Sequence, residues 1–388
     1  MKKYLSMSFI LIILMICITI PAFAANSSIT EMPNVKIIID GQAGTYEDIP
    51  INMNNRTLLP LRGILVNLGV NNDNEHIVWN SKEKSVTVLK DSTKIYLKIG
   101  SNKATVNGKE IVLDASPVVY KDRTYIPVNF IAQSLGMKVV WDGSSKAVLI
   151  REQEEYNRIK GILEKANAAM DEIKSCNGKM DISMSTQQDG ISFDIDMYAD
   201  MAIDVLKKNA FISMKMDMSI INMDMDFYLD DNTLYMKNPL SEQWEKSTMS
   251  EDEYNKLFDE KANINILDMS DALCAGLKEV KGSNLDEILL KGDVFLGDLM
   301  NMVGSSQGTD LSNVKFDKFN VEISLDKNTY LLNNIKMVTS FSLAEDETQG
   351  ADMTIECQYS DYNSDINIVV PEDVLKNAVE NPDLVDSL

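Results

Sequence analysis

The alternation of apolar and polar residues is most regular between Phe211 and Leu229, in a stretch where methionine fills most of the apolar positions. A period of two residues is typical of a β-strand that turns one face to the core and the other to water. Because methionine is flexible and polarisable, a sheet face built from it suits either a loosely specified core or an adaptable apolar pocket. The apolar positions of the stretch are Met214, Met216, Met218, Met223, Met225, Phe227 and Leu229.

The same alternation continues before and after this stretch and predicts a larger sheet. On the N-terminal side it places residues 180–184 in one strand and residues 193–205 in the next, with Asp189–Gly190 as the turn between them. Towards the C-terminus, further strands are predicted over residues 321–325, 335–343, 353–359 and 366–370.

Helical periodicity interrupts the strands. Apolar residues from Ile159 to Ile173 follow a single helical face, and Ser250 with Glu253 forms a capping box that predicts a helix through Phe258. Two more helices are predicted, over Leu267 to Val280 and over Leu285 to Val303. The predicted fold class is therefore α+β. Residues 152–388 are expected to form a large curved antiparallel sheet, a half-barrel, with a leading helix and an inserted helical lid.

Two segments of the N-terminal part match each other. The run RTLLPLRGI that starts at Arg56 returns as RTYIPVNFI from Arg123, and each copy continues through Leu-Gly to a tryptophan, Trp79 or Trp141. Each copy predicts a short strand, a short helix that begins near proline and ends at glycine, and a hairpin. Residues 33–151 are therefore expected to form a small repeat-built domain of antiparallel sheet plus helix.

The doubled motif resembles the copper amine oxidase N-terminal-like domain of exported bacterial proteins, over about residues 35–151. The resemblance implies a fold and no activity. A copper site of the oxidase kind needs several imidazoles, and His76 is the one histidine of this chain. A lone histidine beside a hairpin is more often a solvated residue than a metal ligand.

The polar positions of the repeat are not fully duplicated, since Asn129 stands where the first copy has Arg62. Arg56 and Arg123 are repeated, and we expect them to anchor turns. The alternative role for an exposed arginine next to Tyr125 is contact with a cell-wall polymer.

The second part resembles the lipoprotein-carrier-like superfamily of half-barrels, in the methionine-rich form found in exported bacterial proteins. The match covers about residues 156–374 and depends on the leading helix, the methionine-alternating strands, LYMKNPLSEQWEKS from Leu234 and the closing YSDYNSDINIVVPEDV. The resemblance implies an apolar concave face that holds acyl chains, with helices as a lid.

Three interpretations of the methionine stripe remain: a pocket for a lipid or another apolar small molecule, a solid core, and copper binding by thioethers. The copper site is the least favourable, because alternate residues of a strand lie about 6.6 Å apart. We therefore expect no metal. The candidate ligand-lining residues are Met180, Met184, Phe193, Ile195, Met197, Met214, Met216, Met218, Met223, Met225, Phe227, Met337 and Phe341.

The N-terminus predicts export. Lys2 and Lys3 precede an apolar run that ends at Ala22-Phe23-Ala24, which is typical of a signal peptide over residues 1–24 with cleavage after Ala24. Lipidation at Cys17 is the alternative, although isoleucine precedes it where a small residue is usual. We expect no transmembrane segment in the mature chain, and a secreted or surface-associated protein.

The formal net charge of -22 argues against nucleic acid as a partner.

Three cysteines remain after cleavage, so at least one thiol is unpaired within the chain. A disulfide between Cys176 and Cys357 is one alternative for the other two. Gly-rich phosphate loops and HExxH motifs are missing from the sequence, and one histidine leaves few acid-base arrangements. We therefore expect no enzyme and no cofactor.

The expected function is an exported protein with a surface or spacer module and a domain that holds a hydrophobic ligand. The alternative is a structural or adhesive envelope protein with a solid second domain.

Overall fold

The computed structural model describes residues 29–43, 48–143, 146–188, 191–218, 221–258, 271–281, 285–294, 314–316, 318–343 and 350–387. The predicted export signal and the Asp189–Gly190 turn lie outside these ranges. The chain is mostly antiparallel sheet with few helices, and its largest sheet is curved into a half-barrel. Each helix in the described ranges is too short or too polar to cross a bilayer.

The first module has the element order that the repeat predicts. In each copy a strand ends in proline, a helix of seven residues follows, and a glycine with positive φ, Gly69 or Gly136, ends the turn. The helices are α1 (Leu61–Asn67) and α2 (Val128–Ser134). The strands are β1 (Thr30–Glu31), β2 (Lys36–Ile39), β3 (Gln42–Ala43), β4 (Ile51–Met53), β5 (Arg56–Pro60), β6 (Ile77–Asn80), β7 (Ser85–Lys90), β8 (Thr93–Lys98), β9 (Lys103–Val106), β10 (Lys109–Val112), β11 (Val118–Tyr120), β12 (Arg123–Pro127), β13 (Met137–Asp142) and β14 (Ala147–Glu152).

The two copies meet through strands β5 and β12, which pair antiparallel. Leu59 lies opposite Ile126, the position that matches it in the repeat, and Pro60 lies opposite Tyr125. Equivalent residues of the two copies therefore lie opposite each other, as they do in an interface with two-fold symmetry. Around this centre the described strands form three sheets, in the orders β1-β4-β5-β12-β11, β10-β9-β8-β7-β6 and β13-β14-β2-β3.

The second part begins with the leading helix α3 (Gln153–Asp171), as predicted. The other described helices of this part are short: α4 (Glu251–Leu257), α5 (Asp271–Gly276), α6 (Glu372–Asn377) and a 3₁₀ helix over Pro382–Ser387. The predicted capping box of α4 is present, since the Ser250 backbone N–H donates to Glu253 Oε2 at 3.0 Å and the Glu253 N–H donates to Ser250 Oγ at 3.3 Å.

Thirteen strands of the described chain form the large sheet, in the order β21-β22-β24-β25-β26-β15-β16-β17-β18-β19-β20-β27 with β23 beside β25. The pairs are antiparallel except β20 with β27. The strands are β15 (Ser175–Gln188), β16 (Ile191–Asp204), β17 (Asn209–Asp217), β18 (Asn222–Asp230), β19 (Thr233–Lys237), β20 (Trp244–Thr248), β21 (Leu277–Val280), β22 (Glu287–Val294), β23 (Val314–Phe316), β24 (Phe319–Asp326), β25 (Leu332–Leu343), β26 (Gly350–Ser360) and β27 (Val379–Glu380).

In the middle of the chain, the helix predicted over Leu285–Val303 is wrong for its described residues, and the one predicted over Leu267–Val280 is correct only for α5. The strand predicted over residues 366–370 is also wrong, because that segment has no regular secondary structure. Residues 287–294, inside the helix predicted over Leu285–Val303, form β22, and residues 277–280, inside the one predicted over Leu267–Val280, form β21 after the short α5. Leu290 of β22 pairs with Ile323 of β24 and both are fully buried, so tertiary pairing decides the conformation of an apolar run that also fits a helical period. Residues 267–270 and 295–303 lie outside the described ranges.

Candidate apolar binding face

The register of the large sheet brings its apolar side chains to one face. Met197 lies opposite Ile182 of β15 and Met216 of β17, Met214 lies opposite Met225, and the same phase holds across β22 to β26. The other face carries the alternating polar residues, with contacts such as Ser213 Oγ to Asp226 Oδ1 at 2.6 Å. The alternation read from the sequence therefore assigns the two faces as the structure has them.

Helix α3 covers one half of the apolar face. Its residues Tyr156, Ile159, Leu163 and Ala166 are buried in one cluster with the apolar side chains of β22, β24, β25 and β26. Beneath the helix, the face is closed from water and forms a solid core.

A second, smaller cluster covers the other end of the sheet. Leu234 of β19 and Tyr254 of α4 are buried there together with Met249 and Leu384, and Phe227 packs against them. The Tyr254 hydroxyl donates to the Lys208 main-chain oxygen, which fixes α4 at this end of the strands.

Between the two clusters lies a strip that we call the methionine face. Its side chains come from the middle strands β15 to β18 and are half-buried, so they are neither closed off like the core nor fully in water. The contrast along one apolar face marks this strip as the candidate binding site. The strip consists of Met184, Ile195, Met197, Met214, Met216, Met223 and Met225.

The structure brings these seven predicted candidates together and places six others around them. Met180 and Met337 pack against the core under α3, and the Phe341 ring lies 5.7 Å from that of Phe316. Phe193 is 46% exposed near the start of β16. The remaining two, Met218 and Phe227, lie in the β17–β18 hairpin and against the smaller cluster, respectively.

Sequence reasoning missed two residues that extend the strip. Met201 of β16 and Ile212 of β17 lie opposite each other on the same face and are half-buried. Both continue the alternation from which the other candidates were chosen, so the period of two was the signal that could have identified them.

Three weakly acidic side chains lie on β15 and β26, towards the core under α3, and burial disfavours their charged forms. Burial raises the pKa of Tyr359 to about 12, and it raises the pKa of the Cys357 and Cys176 thiols as well. Both cysteines are free thiols, and so is Cys274. The structure thus contains no Cys176–Cys357 bridge.

In the ranges that the structure describes, groups of three or more His, Cys, Asp or Glu side chains that could hold a metal ion do not occur. His76 Nδ1 lies 2.8 Å from Asp73 Oδ1 on the first module. Its imidazole therefore makes a local contact with Asp73, far along the chain from the methionine face.

Several solved structures are similar to part of this chain. LprF from Mycobacterium bovis is 12% identical over 55% of this chain and 97% of its own, with a TM-score of 0.32. A domain from Vibrio parahaemolyticus assigned to outer membrane lipoprotein sorting is 9% identical over 57% and 97%, with a TM-score of 0.21. A DUF1329 family protein from Desulfovibrio piger is 10% identical over 54% and 95%, with a TM-score of 0.21. No curated protein matches the chain.

Two family models match the sequence. The copper amine oxidase N-terminal domain matches residues 38–150, which confirms the family that the doubled motif resembles. The second model covers residues 158–379, more than half of the chain, and the protein therefore belongs to DUF6612, a family of unknown function.

Proposed function

We propose that the protein is an exported, non-catalytic holder of a hydrophobic, lipid-like ligand, and that the ligand lies on the methionine face. One observation carries the proposal. On a single apolar sheet face, Leu290 and Ile323 are fully buried under α3, while Met197, Met214 and Met225 remain half-exposed between two covered ends.

The side chains of this strip suit a guest of variable shape. Unbranched thioethers adjust their rotamers at low cost, so neighbouring methionines can follow an acyl chain or a ring equally well. Each methylene group that leaves water contributes about 0.8 kcal/mol, so an acyl chain of ordinary length gains enough to bind without a charged anchor.

The alternative function is that of a structural envelope protein whose second domain is solid. That interpretation requires the face to be closed in the same way throughout. The difference in burial between the half under α3 and the methionine face favours the ligand-holding function.

The first module adds a second role to the proposal. It would act as a spacer or surface-attachment unit on the exported chain, with cleavage of the signal after Ala24. The C-terminal part would then present its apolar face outside the cytoplasmic membrane.

The proposal is tested on purified residues 25–388. Organic extraction followed by mass spectrometry should recover a co-purified apolar molecule, and the extracted protein should raise the emission of a fluorescent fatty acid with saturable binding. A protein that yields no apolar molecule and fails to take up the fatty acid after extraction would exclude the ligand-holding function and leave the structural one.

A further inference from the structure

The internal repeat of the first module builds two matching grooves on its surface. Their volumes are about 550 and 520 Å³, and repeat-equivalent residues line both. Pro60, Trp79 and Val86 line the first groove; Pro127, Trp141 and Val148 line the second. The duplication in sequence is thus also a duplication of a surface feature.

Each groove combines residues of both copies. The first contains Arg123 of the second copy, whose Nε lies 3.1 Å from Asp48 Oδ2. The second contains Arg56 of the first copy, whose Nε lies 2.5 Å from Asp114 Oδ2. The crossed arrangement follows from the two-fold pairing of β5 with β12, because Arg56 and Arg123 open those strands.

An exposed indole forms a wall of each groove. Trp79 is 45% exposed and Trp141 is 49% exposed. Folding leaves much of both rings in water, although a buried indole is among the largest apolar contributions a residue can make. Two such rings at equivalent positions indicate a surface that stacks against a ligand.

The charges in the grooves select the class of ligand. The first groove carries Arg62 and Arg123 against Asp48 and Asp122, and the second carries one arginine against one aspartate. Each groove is therefore electrically balanced, in a chain whose net charge is -22. A polyanion gains little where carboxylates balance the arginine charge, whereas hydroxyl groups can bond to both members of the Arg123–Asp48 and Arg56–Asp114 pairs.

We infer that the two grooves bind an uncharged polysaccharide. A pyranose ring has an apolar face of C–H bonds and a rim of hydroxyls. The face stacks on Trp79 or Trp141, and the hydroxyls bond to the Arg–Asp pair and to the amides of Asn72 or Asn129. Equivalent sites on one small module fit a polymer with a repeating unit, because one chain or two neighbouring chains can occupy both grooves at once.

The inference does not depend on the apolar ligand of the second part. It also gives Arg56 and Arg123 a role besides anchoring turns, since their carboxylate partners hold the guanidinium planes at the groove walls. Arg62, whose Nη1 donates to Asn72 Oδ1 at 2.6 Å, has Asn129 as its counterpart, so the two grooves differ in their hydrogen-bond donors.

The test uses residues 25–388 in native affinity electrophoresis with hydroxyethyl cellulose and glycol chitin, and in pull-down with insoluble chitin. Wild type should be retarded or retained by at least one of these neutral glycans. Trp79→Ala and Trp141→Ala should each weaken retention several-fold, and the double variant should lose it by at least about tenfold, because linked sites act together.

Two controls separate stacking from folding. Val112→Ala changes a side chain that is 68% exposed and lines neither groove, and it should bind as wild type does. Tryptophan-to-phenylalanine variants keep an aromatic face and should retain part of the binding. The inference is overturned if none of the three glycans binds wild type, or if the double alanine variant, folded by circular dichroism, binds as wild type does.

Discussion

The buried side chain of Arg151 donates a hydrogen bond to the main-chain oxygen of Leu277, 126 residues further along the chain. Arg151 lies in the last strand of the first module and Leu277 begins β21 of the large sheet. Ile38 and Leu149 of the first module belong to the same core cluster as Leu163 of α3. The two family matches therefore correspond to parts that pack around shared apolar contacts.

Arg151→Ala should destabilise both parts together. The substitution leaves the Leu277 carbonyl without its partner and opens a gap at a residue that is 2% exposed, so the free energy of unfolding should fall by about 2–4 kcal/mol. Urea unfolding followed by circular dichroism measures the change. Arg158→Ala is the control, because its ion pairs with Glu155 and Glu279 are partly exposed and should contribute about 1 kcal/mol or less. Equal midpoints for both variants would contradict the role of Arg151.

A lysine on the methionine face should block the apolar ligand. Met197→Lys and Met214→Lys each place an ammonium group among thioethers, and the affinity for a fluorescent fatty acid should fall by at least about tenfold, since the charge must be desolvated. Tyr198→Lys is the matched control: the residue is adjacent to Met197, points to the opposite face and is 50% exposed. Unchanged binding in both methionine variants would place the fatty acid elsewhere.

Alanine substitution should change the stability of the fold in opposite directions at two glycines. A Cβ on Gly292 would overlap the main-chain oxygen of Gly276, so Gly292→Ala should destabilise the fold by about 2 kcal/mol or more. Gly161 lies inside α3 with open space around it, and Gly161→Ala should stabilise by about 0.5–1 kcal/mol through helix propensity. Thermal melts of the two variants measure both effects, and the same sign for both would be inconsistent with this packing.

The thiols of the folded protein should react slowly. Burial raises the pKa of Cys274 to about 11 and also raises those of Cys176 and Cys357, so the reactive thiolate is scarce at pH 8. With Ellman's reagent, residues 25–388 should release colour slowly when native and should titrate three thiols in urea. Fewer than three in urea would mean that a disulfide has formed.

The stabilising contribution of the Glu356 carboxylate should be lost in acid. The Asn334 amide donates to Glu356 Oε1 at 2.7 Å and lowers the pKa of that carboxyl below its ordinary 4.5. Because the folded pKa is the lower one, the contribution is complete above about pH 4.5 and is lost as the pH falls through the folded pKa. Urea midpoints from pH 6 to pH 3 should therefore change less in Glu356→Gln than in wild type. Parallel profiles would assign the acid sensitivity to other carboxylates.

The sequence predicts the two faces of the large sheet because a period of two is a local property. The alternation alone places Met197, Met214 and Met225 on one side of the sheet, without knowledge of the strand order. The strand β22 was not predictable in this way: its apolar residues Ile288 and Leu290 also fit a helix, and pairing with β24 determines the outcome.

Long-range packing explains what the sequence could not predict at the sites. The exposure of the methionine face depends on which strands α3 covers, and no local pattern encodes that choice. In the first module both tryptophans occupy matching positions of the repeat. Their proximity to the arginine of the opposite copy appears only when β5 pairs with β12.

The pairing of Leu59 with Ile126 has an evolutionary consequence. A chain with a single copy of the repeat would leave β5 as an open edge, and the same register would let two such chains associate as a homodimer with both grooves complete. Tandem duplication joins those subunits covalently and frees each half to mutate independently. The divergence of Arg62 and Asn129 is the kind of asymmetry that a homodimer of identical chains could not acquire.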